Sequence, residues 1–180
     1  MRYVSFLRRW STVWAVALLL GLGGVLAAFP ASADPSPIKI AVFDFELDDY
    51  SAGAGIAGDK IADALRLDRA ASEARRLIAQ SGRYVLVDVS NAVDDAVKGH
   101  RLRQCDGCDA AIALKLGADQ SFVGVVSRIS RVEYVVRFEI RDAHTGALLL
   151  ARQSGLRMGA NDSWGRGAAD LINNGLLNNH

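Results

Sequence analysis

Between Val132 and Ile140 the chain alternates with a period of two. Val132, Tyr134, Val136, Phe138 and Ile140 fall on one side of an extended backbone, with Glu133, Arg137, Glu139 and then Arg141 mostly on the other. Helical faces repeat every 3.6 residues, so this segment is a strand with one buried and one solvated face. One-sided solvation is characteristic of antiparallel pairing. His144-Thr145-Gly146 then turns the chain, and Ala147 to Arg157 returns it as a neighbouring strand. The middle of the chain is therefore a strand meander.

The segments before the meander have a different rhythm. Ile38 to Phe45 is a continuous apolar run broken only by Lys39 and Asp44, and it ends in the acidic residues Glu46, Asp48 and Asp49, as a buried first strand would. After a loop to about Asp68, Ala70, Ala74, Leu77 and Ile78 mark one helical face, which stops at Ser81-Gly82. Tyr84 to Asp88 is the second strand. Ser90 or Asn91 caps a short helix through Lys98, a further helix spans about Asp106 to Leu116, and Gln120 to Val126 is the third strand. A last helix starts near Asn161 or Asp162 and places Trp164, Ala168, Leu171 and Ile172 at helical spacing. The order β-α-β-α-β-β-β-α predicts an α/β (α+β) domain. Its mixed sheet has about five strands, the first three parallel, with helices packed on it.

The N-terminus has a separate logic. Arg2, Arg8 and Arg9 precede an apolar stretch from Val13 to Phe29, then Pro30 and the small-residue triplet Ala31-Ser32-Ala33. This is the pattern of a cleavable secretory signal ending at residue 33, and the apolar run is short for a membrane span of about 20 residues. No cysteine stands at the new N-terminus, so the route to an acylated lipoprotein is closed. The expectation is a single periplasmic domain, residues 34–180, without stable membrane insertion. Its formal charge balance is −2, which gives no electrostatic case for nucleic acid.

Several short motifs together carry a resemblance. They are Ser81-Gly82-Arg83-Tyr84-Val85-Leu86-Val87-Asp88, Cys105-Asp106-Gly107-Cys108-Asp109, Leu116-Gly117-Ala118-Asp119, Arg141-Asp142-Ala143-His144-Thr145-Gly146 and Asp162-Ser163-Trp164-Gly165-Arg166-Gly167. With the first strand they make the chain resemble a family of secreted bacterial proteins of unassigned function, over nearly all of residues 34–180. The element order is also similar, more distantly, to the periplasmic α/β domains of the curli-secretion lipoprotein and of the N-terminal part of the Tol-Pal translocation protein. Those domains bind other envelope proteins and catalyse nothing. The resemblance therefore implies an envelope or periplasmic protein partner, no cofactor and no catalytic residues. It further implies an association with periplasmic quinoprotein alcohol dehydrogenases, which relatives often accompany.

Cys105 and Cys108 are the only cysteines. At the mouth of a predicted helix, in an oxidising compartment, they suit a structural disulfide. The competing reading is a redox dithiol in which the helix N-terminus lowers the thiol pKa of Cys105. Against it, all three prolines lie before residue 38, so the cis-proline of thioredoxin-like oxidoreductases is missing. A metal site from His100, Cys105 and Cys108 with Asp106 or Asp109 is a third reading. Asp109 stands where covalent haem would need histidine.

Gly53-Ala54-Gly55-Ile56-Ala57-Gly58 spells a dinucleotide fingerprint, but its first glycine follows Phe45 by several residues instead of closing the strand. A flexible loop fits better, with Gly53, Gly55 and Gly58 as candidate partner-binding positions. Asp44, Glu46, Asp48 and Asp49 form a carboxylate cluster that a hard metal or an acid-base pair would use, although solvated residues at a strand end are the simpler reading. Trp164 and Arg166 are a candidate partner anchor, against the simpler reading of Trp164 as core. The expectation is a non-catalytic accessory module that binds through its sheet edge, glycine-rich loop or final helix.

Overall fold

The computed structural model describes residues 36–51, 59–92, 95–99, 101–157 and 164–178. Pro35–His180 form one compact unit. The proposed signal, the glycine-rich loop with Gly53, Gly55 and Gly58, His100, and the capping positions Asn161 and Asp162 lie outside the described residues.

The elements are β1 (Ile38–Val42), β2 (Glu46–Asp49), α1 (Lys60–Gln80), β3 (Tyr84–Val87), α2 (Asp95–Lys98), a 3-10 turn at Leu102–Gln104, α3 (Cys108–Lys115), β4 (Gln120–Arg128), β5 (Glu133–Asp142), β6 (Leu148–Arg157) and α4 (Trp164–Ile172). A π-helical turn at Asn173–Leu177 continues α4. Among the described residues they build a six-stranded sheet in the order β3-β1-β4-β5-β6, with β2 also on β4. β1 pairs in parallel with β3 and β4, whereas β4-β5 and β5-β6 are antiparallel. The mixed sheet, its parallel first part and the meander are as the sequence indicated.

The crossovers explain the layering. The chain leaves β1 for β3 on one side, then returns past β1 to β4 on the other. Right-handed crossovers in opposite directions put their helices on opposite faces. One face carries α1 and α4 over the larger core, which includes Ile40, Phe122, Val136, Phe138, Trp164 and Ile172. The other carries α3 over a smaller core around Phe43, Ile112, Val123 and Val125.

Two departures from the sequence reading shape the core. The first strand is interrupted at 43–45, where Val42 pairs with Phe122 but Glu46 pairs with Val125, so the first chain spends one extra residue. This bulge reverses the alternation. Phe43 points into the smaller core, Phe45 into the larger one. Glu46, expected at a solvated strand end, is turned inward at 1% exposure. The Val42 carbonyl at the break accepts from Arg75 Nε and Nη2 of α1 at 3.2 and 3.0 Å.

Helix α1 also starts at Lys60 instead of near Asp68. Asp59 caps it, its carboxylate accepting from the Ile61 and Ala62 N–H groups at 3.0 and 3.1 Å. The first two turns escape an apolar-period reading because Ile61 and Leu65 are exposed while the acidic Asp63 is buried.

Candidate functional site

The first candidate is the Cys105–Cys108 loop. The two cysteines are joined in a disulfide, with their Cα atoms 5.5 Å apart. Between them Asp106 has φ 30° and Gly107 has φ 94°, and the Cys108 N–H donates to the Cys105 carbonyl at 3.2 Å. Positive φ at both central residues makes this a tight turn of the I′ kind, for which Asp-Gly is a preferred pair. Helix α3 begins at Cys108, with Gly107 as its N-cap, two residues later than the sequence indicated. Among the described residues no three His, Cys, Asp or Glu side chains come together as a metal-binding group.

The loop forms one wall of a cleft of about 270 Å³ between α3 and the open face of β4 and β5. Arg103, Arg137 and Arg141 line it, together with Asp106, Asp109 and Glu139. Arg141 is held by Glu139 at 3.2 Å, Asp106 at 3.7 Å and Asp109 at 3.8 Å. Asp109 is itself buried and accepts from the Ser121 hydroxyl at 2.5 Å. Arg103 lies against Glu46 at 2.9 Å and Asp48 at 3.7 Å. Arg137 has no ion-pair partner among the described residues.

The carboxylate cluster of β2 is divided among structural tasks. Glu46 accepts from the Leu102 and Arg103 N–H groups at 2.7 and 3.2 Å and from Arg103 Nη1, so it caps the 3-10 turn from across the sheet. Glu46→Gln keeps the shape but turns an NH2 toward one of these donors. The expected cost is about 2 kcal/mol, with faster amide exchange confined to 102–105; unchanged exchange there would contradict the capping role. Asp44 pairs with Arg75 at 2.7 Å and is exposed. Asp48 accepts from the Tyr50 hydroxyl at 2.8 Å.

Asp49 belongs to a third cluster, at the far end of β4. Arg128, 3% exposed, pairs with Asp49 at 2.7 Å and with Asp63 of α1. Its guanidinium also lies over the Tyr134 ring at 5.8 Å. Burial disfavours its charge, but Asp63, Tyr134 and Asp49 outweigh this and raise its pKa. Burial likewise opposes ionisation of Asp49, yet the hydroxyl and N–H of Ser51 with Arg128 hold its carboxyl below the usual range. Glu46 is named by the sequence only as one of a carboxylate cluster, and Arg103, Asp63, Arg128 and Arg137 are not named as site residues at all. Such pairings join residues up to 79 positions apart, and no local spacing announces them.

Trp164 lies in the core at 2% exposure, its ring 5.5 Å from that of Tyr134 and under the Arg66 guanidinium. Of the two anchor positions Trp164 is thus core, as its simpler reading has it, because the first turn of α4 turns the indole onto the sheet. Arg166 is exposed on a shallow groove between α1 and α4. His144 sits in the hairpin turn, where the Asp142 carboxylate accepts from the His144 and Thr145 N–H groups.

The last feature is the sheet edge. β3 ends the sheet on one side with four residues. On the other side β6 runs for ten, eight of them exposed, with no further strand beyond it among the described residues. Its inner face is held by Leu156, which packs on Gly167 of α4.

The fold is shared with the lipoprotein GNA1162 from Neisseria meningitidis, at 15% identity over 77% of this chain and 96% of that one, with a TM-score of 0.50. The C-terminal domain of LpoB from Salmonella enterica is 13% identical over 71% of this chain and 88% of its own, with a TM-score of 0.49. TolB from Acinetobacter baumannii is 16% identical over 79% of this chain and 29% of its own, with a TM-score of 0.47. No curated protein matches the sequence significantly. Among the described residues no helix is long and apolar enough to cross a membrane. An unassigned family with distant structural relatives is what the sequence motifs implied. Residues 38–176 match a family described as "Protein of unknown function (DUF2380)", and the chain belongs to that family.

Proposed function

We propose that this chain is an exported, non-catalytic accessory module of the bacterial envelope that binds another envelope protein by accepting a strand at the β6 edge. The observation that carries this reading is the edge itself. Strands average about five or six residues, and long free edges are normally shortened or covered because they template pairing with other chains. β6 has ten residues and no further strand beside it among the described residues, while the opposite edge is limited to four. Strand addition is a common mode of peptide recognition, main-chain bonds supplying affinity and alternate side chains supplying selectivity. The charged groups that catalysis would recruit also have structural partners: Glu46 caps a turn, Asp49 and Asp63 hold Arg128, and Asp109 bonds Ser121. Cleavage of the leader after Ala33 and a periplasmic location belong to this proposal. A quinoprotein dehydrogenase as the partner is its narrowest form.

The test is a photoreactive residue at Gln153 in β6, compared with one at Val85 in β3, in the intact expressing cell. The expected result is a discrete adduct of defined mass from Gln153 alone. Equal adduct patterns from both positions would overturn the reading.

A further inference from the structure

We infer that the strand accepted by β6 is acidic, and that Arg137 is the residue that selects it. This rests on the edge-docking reading above and adds the chemistry of the partner. β6 carries Arg152 and Arg157 and no acidic residue, so its own contribution to the edge is positive. The cleft beside it is lined by three arginines, of which Arg103 and Arg141 are already neutralised by Glu46, Asp48, Asp106, Asp109 and Glu139. Arg137 is the half-buried cation left over among the described residues.

Register places this charge where an added strand would meet it. Arg137 of β5 is directly opposite Gln153 of β6, and side chains opposite one another share a face. A residue paired to the outer side of Gln153 would lie two strand spacings from Arg137, about 10 Å, within the combined reach of an arginine and a glutamate. Arg157 is on the same face but stands opposite Glu133. Because Asp106, Asp109 and Glu139 also line the cleft, its balance favours a single carboxylate side chain over a free polyanion.

The probes are a ten-residue peptide alternating threonine and glutamate and its threonine-lysine twin, followed by fluorescence anisotropy at low salt and by amide exchange over 148–157. The glutamate peptide is expected to bind about tenfold tighter, the equivalent of one charge-assisted contact, and to protect alternate β6 amides. Arg137→Glu should reverse the preference and Arg137→Gln abolish it, whereas Arg69→Glu on α1 should leave it intact. Equal binding of the twins with β6 protected would overturn the acidic selection and leave the docking reading standing. Three other results would also overturn it: β6 amides unprotected by either peptide, β6 protected by self-association without peptide, or the glutamate peptide displaced by inorganic phosphate with β6 unprotected. The Gln153 photo-adduct reports the docking reading independently in each case.

Discussion

Arg128→Leu is expected to destabilise the protein by about 3–5 kcal/mol, the range for removing one partner from a buried ion pair. The arginine is 3% exposed and ties Asp49 of β2 and Asp63 of α1 to the end of β4. Deleting it leaves Asp63 buried with only Arg66 at 3.0 Å in compensation. Replacing all three by apolar residues of similar volume should cost far less, because the loss comes from stranded charge. Denaturant titration of both variants checks this; a loss below about 1 kcal/mol for Arg128→Leu would place the network in contact with solvent.

The same cluster sets a pH dependence whose sign follows from Asp49. Its pKa in the folded chain lies below the ordinary value of 3.8. Its contribution is therefore present above the unfolded value and lost as pH falls through the folded one. Stability measured from pH 7 downward should drop below about pH 4 more steeply in the wild type than in Asp49→Asn. Coincident curves would show that Asp49 titrates alike in both states.

Gly124→Ala is expected to cost about 3 kcal/mol, at the upper end for overpacking. A methyl group there would overlap the Phe45 ring, which lies over the β4 backbone in the larger core. That ring is there because the bulge at 43–45 turned it to this face. Phe45→Ala alone should also be costly, by about 3–5 kcal/mol, since it leaves a cavity beside Phe122 at 6.1 Å. The two losses should not add: in the Phe45→Ala background Gly124→Ala should be nearly neutral, a coupling of about 2–3 kcal/mol in a double-mutant cycle. Additive losses would mean that Gly124 is needed for a reason other than the ring.

The meander was legible residue by residue, because Tyr134, Val136, Phe138 and Ile140 report a two-sided environment through a period that only a strand has. Val132 is the exception: at 61% exposure it lies before β5 begins, in the turn that precedes it. The late half of α1 was equally plain from Ala70, Ala74 and Ile78, while its early half was hidden by the exposed Ile61 and Leu65. Of the site, the cysteine pair could be read, since proximity in sequence sets proximity in space. The cleft arginines and the Glu46 cap could not.

By itself the sequence determined what local periodicity and backbone chemistry can encode: the meander, the parallel first part of the sheet, the closeness of the two cysteines and membership of the family. Tertiary structure alone decided where the charges went. One extra residue in the first strand reversed the faces of Phe45 and Glu46, pairing the first with Gly124 and the second with a turn 56 positions away. Packing across the sheet also places Arg137, which has no ion-pair partner among the described residues, one strand in from the ten-residue β6. Ion pairs and bulges are settled by which elements meet across the sheet. A contact that long-range packing brings together leaves no spacing in the chain for a reader to find.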